Sequence, residues 1–147
     1  MEQRKAARPP TSFWVVGIMS LIWNAFGGVD YTMTRLRNAE YLSSAGDPQV
    51  ILAWIDGFPL WAQAAWGLGV WGSVAGSVLL LARSRHAVTA FGLSLLGAVL
   101  SLGFQLTHAV PAELDTTSGK AMPVLIILIV AFLLRFAYVE RAKGTLR

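Results

Sequence analysis

The sequence predicts an all-α polytopic membrane protein, with four transmembrane helices in a bundle and a short interfacial helix in the first outer loop. Three observations carry this expectation. The apolar residues fall into four long runs separated by short polar stretches, and each run approaches the ~20 residues a helix needs to cross a bilayer. Hydrophobic residues make up 55% of the 147-residue chain and charged residues only 14%, where a soluble domain carries roughly 25% charge. No stretch has the alternation of a strand, so a single helical membrane domain uses most of the length.

The first span is read at about 13–34. Arg4, Lys5, Arg8 and the Pro9–Pro10 pair precede it, and Thr11 or Ser12 is placed to cap it. A basic start before an apolar core also describes a cleaved leader, but the core is long for one, and Trp14, Trp23 and Asn24 suit a retained, packed helix. The second span, about 59–82, opens with Pro59 at the first helical position, where no N–H is needed. The third is read at about 87–107 and the fourth at about 123–139, opening on Pro123. On these boundaries every proline lies outside a span interior, so no proline kink is expected. Within the 38–58 loop, Gly46 reads as a stop, Asp47 as an N-cap, Pro48 as the first helical residue and Gly57 as the next stop. Val50, Ile51, Trp54 and Ile55 share one face of this short helix at about 48–56, which either lies in the membrane interface or lids an outer cavity.

Topology follows from the cations. Arg4, Lys5, Arg8, Arg83, Arg85, Arg141, Lys143 and Arg147 fall on one side; Arg35, Arg37 and Lys120 fall on the other, diluted by acidic residues. Both termini are therefore expected in the cytoplasm of a bacterial inner membrane, with the 38–58 and 108–122 loops outside. Arg135 lies near enough to the inner end of its span to snorkel. These positions also explain a pI near 10.0 without nucleic acid.

Lipid tails supply no hydrophobic drive for helix association, so small residues that let backbones approach must supply it. Three spans carry such stripes: Gly17, Ser20, Asn24, Gly27 or Gly28 and Tyr31; Ala62, Ala65, Gly69, Gly72 and Gly76; and Ala90, Ser94, Ala98, Ser101 and Gln105. The fourth span has none and is expected outermost. Homo-oligomers or partner membrane subunits are expected around the lipid-embedded bundle.

Polar groups inside spans are the default functional candidates. Asp30, Tyr31, Gln63, Gln105 and His108 fall at one depth near the outer ends of three spans. They read either as an outward-facing pocket for a small hydroxylated or cationic solute, with Asp30 near His108, or as interhelical hydrogen bonds with Asp30 in reach of Arg37. Asn24 lies near mid-membrane, where its amide needs a partner such as Ser101 or Ser73. Zero cysteines, two histidines and no His-x-x-x-His pair leave no metal-site pattern. No phosphate loop, dinucleotide fingerprint or nucleophile motif is present, so neither a cofactor nor an enzyme is expected.

The stretch Leu21-Ile22-Trp23-Asn24-Ala25-Phe26-Gly27-Gly28-Val29-Asp30-Tyr31-Thr32-Met33-Thr34 resembles a family of small four-span proteobacterial membrane proteins. The likeness continues through Gly57-Phe58-Pro59 and the 66–72 segment into Arg83-Ser84-Arg85. Members are labelled as sugar transporters, so the resemblance implies solute transport without implying binding residues. The residues alone lean toward a non-catalytic accessory or scaffold subunit, since no charge sits at mid-membrane and no span is broken.

Overall fold

The computed structural model describes residues 8–147; Arg4 and Lys5 of the topology expectation lie outside the described residues. These form six helices and no strand: α1 (Thr11–Arg35), α2 (Ala39–Ser43), α3 (Pro48–Asp56), α4 (Leu60–Leu81), α5 (Ala87–Thr107) and α6 (Thr117–Ala142). α1, α4, α5 and α6 are long and apolar enough to cross a membrane. α1 has 25 residues, about 37 Å at 1.5 Å per residue, more than the ~30 Å hydrocarbon layer requires.

The four long helices pack in chain order, α1 on α4, α4 on α5 and α5 on α6. The two central helices meet at backbone distance. A Cβ built on Gly97 would lie 2.6 Å from the Ala65 carbonyl oxygen and from the Gly69 nitrogen. Gly69 and Gly72 approach the backbone of Ala98 and Ser94, while Gly76 is covered by the Phe91 ring. The Ser94 hydroxyl donates across this seam to the Gly69 carbonyl at 2.6 Å. Of the α5 stripe, Ser94, Ala98 and Ser101 are buried, and Ala90 and Gln105 are half-buried.

α1 uses a different side of α4. Gly28 faces Trp71 and Val74, and Gly67 leaves room for the Tyr31 hydroxyl. Gly67 and Gly76 are nine residues apart, two and a half turns, so these two contacts point in opposite directions, while Ser77, which meets Ser20 of α1, is turned only about 100° from Gly76. Gly27 is not a packing residue: it is exposed, and an added Cβ there meets nothing within 4 Å. Only one member of an adjacent glycine pair can face a given neighbour, because successive helical residues are turned by about 100°.

α6 is the least buried of the four spans, in keeping with its lack of small residues, although α1 shares the edge position. Its start departs from expectation. Thr116 caps the helix by accepting from the Gly119 N–H at 3.0 Å, so α6 begins at Thr117 and Pro123 lies inside it. A proline there removes one helical hydrogen bond and crowds the carbonyl four residues back. That carbonyl belongs to Gly119, which is exposed. At α1 the expected Thr11 or Ser12 cap is absent: Pro10 precedes the helix and makes no side-chain cap bond.

The end where α1 begins and α6 ends, the termini end, is closed by a core of Phe13, Leu80, Ala87, Phe91, Leu133, Ala137 and Leu146, which joins all four long helices. Leu146 reaches it because the tail folds back at Gly144 (φ 79°). The tail is pinned by Arg147 N–H to the Arg83 carbonyl and Arg85 N–H to the Arg147 carbonyl, both 2.8 Å. α1 and α4 end in the same left-handed turn with Arg37 (φ 55°) and Arg83 (φ 58°) instead of glycine, so neither stop carries the usual sequence signal.

At the opposite end, the loop end, α3 has the expected boundaries. Asp47 accepts from the Gln49 N–H at 2.8 Å, Pro48 opens the helix and Gly57 ends it. α2 was not expected; Asn38 caps it by accepting from Tyr41 N–H at 2.9 Å.

Candidate functional site

Near mid-helix, α1 and α4 are joined by a buried polar knot. Ser20 and Ser77 share a 2.6 Å hydroxyl contact. Asn24 Nδ2 donates to Ser77 Oγ at 2.8 Å and to the Ser73 carbonyl at 3.3 Å, and Ser77 donates to the same carbonyl at 2.9 Å. Asn24 thus finds Ser73 through its main chain and Ser77 through its side chain. Ser101 is not its partner; it lies on α5 and accepts from Gln105 at 3.4 Å. Among the described residues, every polar contact at this depth on α1 is directed at its own helix or α4.

The five polar residues grouped at one depth in the sequence do not converge. Asp30 accepts from the Tyr41 hydroxyl at 3.0 Å. This contact, together with burial, moves the Tyr41 phenol above its ordinary value: desolvation is the larger cause, then the hydrogen bond and negative charge of Asp30. Gln63 accepts from Arg35 Nη1 at 2.9 Å and donates to the Phe58 carbonyl at 3.0 Å. Tyr31 is packed edge-on against Trp66, with ring centroids 4.6 Å apart. Arg37 pairs with Asp56 at 2.7 Å and so does not serve Asp30. These groups tie the first loop to the tops of α1 and α4.

Gln105 and His108 lie on the other side of α4, at the end of α5. His108 stacks on Phe104, with centroids 3.9 Å apart, and its Nδ1 contacts the Phe104 carbonyl at 2.9 Å. Nδ1 also lies 3.1 Å from the Thr107 hydroxyl, so this side of the ring is held against the end of α5. Phe58 and Trp61 meet the Phe104 ring at 5.2 and 5.5 Å, and Trp54 packs on Phe58 at 5.0 Å.

Beside this aromatic stack is a cleft of about 300 Å³ between α3, the end of α5 and the start of α6. Trp54, Gln105, His108, Leu114 and the Asp115–Lys120 pair, 2.8 Å apart, line it. An indole face, an amide, an imidazole and a carboxylate suit a small ligand with an apolar face and several hydroxyls. The expected five-residue pocket is therefore corrected to two separate places, with only Gln105 and His108 in the cleft. α4 stands between α1 and α5, and its opposite faces keep Asp30 and His108 apart.

Sequence reading missed Ser77 as the partner of Asn24, Gly97 at the closest helix approach and the Trp54–Phe58–Phe104–Trp61 chain of rings. The spacing of Ser73 and Ser77 was the available signal for the first. Among the described residues, no group of three or more His, Asp or Glu side chains is placed to hold a metal ion. Comparison of the chain with protein-family models, curated proteins and solved structures finds no match.

Proposed function

We propose that this chain is a non-catalytic accessory or scaffold subunit of a larger assembly in a bacterial cytoplasmic membrane, with both termini in the cytoplasm. One observation carries the reading. The mid-depth polar groups Asn24, Ser20, Ser73 and Ser77 bond to one another, and the α4–α5 seam is closed at backbone distance. A carrier working by alternating access needs polar groups at mid-depth that are open to solute from each side in turn. Here that chemistry holds helices together. Exposed aromatic side chains on the edge helices, including Phe26 and Phe132, offer surface to lipid or to neighbouring subunits. The orientation rests on the count of cations, three at the loop end (Arg35, Arg37 and Lys120) against eight beside the other ends of the spans.

Purification from the native membrane in mild detergent, with mass analysis of what co-elutes, tests the assignment. A stoichiometric larger membrane partner is the expected result. A clean homodimer that moves solute after reconstitution overturns it.

A second reading, a carrier or receptor for a small hydroxylated solute, is favoured by the loop-end cleft and by the transport label of the family the chain resembles. On that reading a sugar panel quenches or shifts Trp54 fluorescence, and Trp54→Phe removes the response.

A further inference from the structure

The flank where α1 meets α4 holds a second cavity of about 290 Å³, on the side away from α5. Its floor is Gly28, and Val29, Thr32 and Met33 of α1 with Trp71 and Val74 of α4 form its walls. Thr32 contributes no free donor, because its hydroxyl is bonded to the Gly28 carbonyl at 2.7 Å. The cavity is therefore apolar in effect. The residues that line it on α1, from Ala25 to Met33, lie in the loop-end half of a membrane-spanning helix, so it faces the loop-end half of the hydrocarbon layer.

Arg35 stands one turn beyond Thr32. Among the described residues its guanidinium bonds only to the neutral Gln63 amide, and it pairs with no carboxylate. The other loop-end cations are neutralised, Arg37 by Asp56 and Lys120 by Asp115. Arg35 thus keeps a full positive charge just above an apolar groove, with donors left over after the single bond to Gln63.

We propose that this groove is a binding site for an anionic phospholipid, with an acyl chain along Gly28 and Trp71 and the headgroup phosphate on Arg35. The occupant follows from position and charge. At this depth the groove meets acyl chains, and a guanidinium at the headgroup boundary takes phosphate oxygens in a bidentate fork. An anionic headgroup is preferred over a zwitterionic one because no ammonium opposes Arg35. The site does not depend on which partner the chain assembles with.

Brominated acyl chains quench tryptophan on contact, and the Trp71 ring lies 3.7 Å from where a Gly28 Cβ would be. The full chain is reconstituted in phosphatidylcholine vesicles containing a minor fraction of either brominated phosphatidylglycerol or brominated phosphatidylcholine. Trp71→Phe isolates the Trp71 signal. Several-fold stronger quenching by the brominated phosphatidylglycerol is expected, with Arg35→Gln reducing it to the phosphatidylcholine level and Arg37→Gln leaving it unchanged. Gly28→Leu fills the groove and lowers quenching by both lipids. Should that variant misfold, Arg35→Gln, an exposed position, still decides. Equal quenching by the two lipids, an Arg35→Gln variant like the parent, or an equal loss in Arg37→Gln overturns the proposal. Quenching by neither lipid overturns it in favour of a protein neighbour on this flank.

Discussion

Asn24 shows how a single polar residue orients a helix within a bilayer. Its amide reaches the Ser77 hydroxyl and the Ser73 carbonyl, which fixes the rotation of α1 and brings Gly28 and Tyr31 onto α4. Interhelical hydrogen bonds in membranes average ~0.6 kcal/mol and reach ~2 kcal/mol. Asn24→Ala is expected to lose an amount in that range in reversible unfolding in detergent, with the Ser20–Ser77 contact surviving. A loss below ~0.3 kcal/mol, half that average, would show that the amide does not position the helix. Tyr41 makes a second residue-scale case. Its phenol is raised, so the proton that bonds Asp30 is held tighter in the folded chain than in the unfolded one. The contribution to stability is then complete below about pH 10, the ordinary tyrosine value, and is lost as pH rises through the higher folded value. Titration of phenolate absorbance, with Tyr41→Phe as reference, should place Tyr41 above an ordinary tyrosine, and Asp30→Asn should move it back down.

Between helices, the glycines separate into those that face a neighbour and those that do not. A methyl on Gly97 would collide with main-chain atoms of Ala65 and Gly69 at 2.6 Å, and backbone cannot step aside without parting α4 from α5. Gly97→Ala is expected to lower stability by several kcal/mol or prevent assembly, beyond the ~1–3 kcal/mol typical of overpacking. Gly27→Ala meets open space and should be neutral or stabilising by up to ~1 kcal/mol, since alanine is the better helix former. Thermal denaturation of both variants in one detergent tests the pair; a Gly27→Ala loss equal to that of Gly97→Ala would refute the assignment of faces. The small-residue stripes were readable because their spacing matches the helical turn. Gly97 was not, because the stripe through Ser94, Ala98 and Ser101 already accounted for that face.

The whole molecule has two unlike ends. At the termini end one apolar core joins all four long helices and the tail; at the loop end the polar groups divide into two sets on either side of α4. The cations follow the same axis, with three at the loop end, Arg35, Arg37 and Lys120, and more beside the opposite ends of the spans. Topology reporters fused at Gly46 and after Arg147 should report the external and the cytoplasmic side respectively. Cytoplasmic activity at Gly46 would reverse the orientation and with it the leaflet of the phospholipid site.

Length, apolar runs, the Asp47–Pro48 start and the Gly57 stop were enough, by themselves, to set out four spans and the short helix α3. Each depends on local rules: hydrocarbon thickness, helix rise, and satisfaction of the first backbone N–H groups. Depth was also readable, since counting residues along a helix measures distance across the membrane. Azimuth was not. Which side of α4 each neighbour occupies decides that Asn24 meets Ser77 rather than Ser101, that Gly28 rather than Gly27 packs, and that Asp30 and His108 belong to separate sites. Those outcomes depend on how helices rotate against one another, and that rotation is set by all the close contacts of the bundle together.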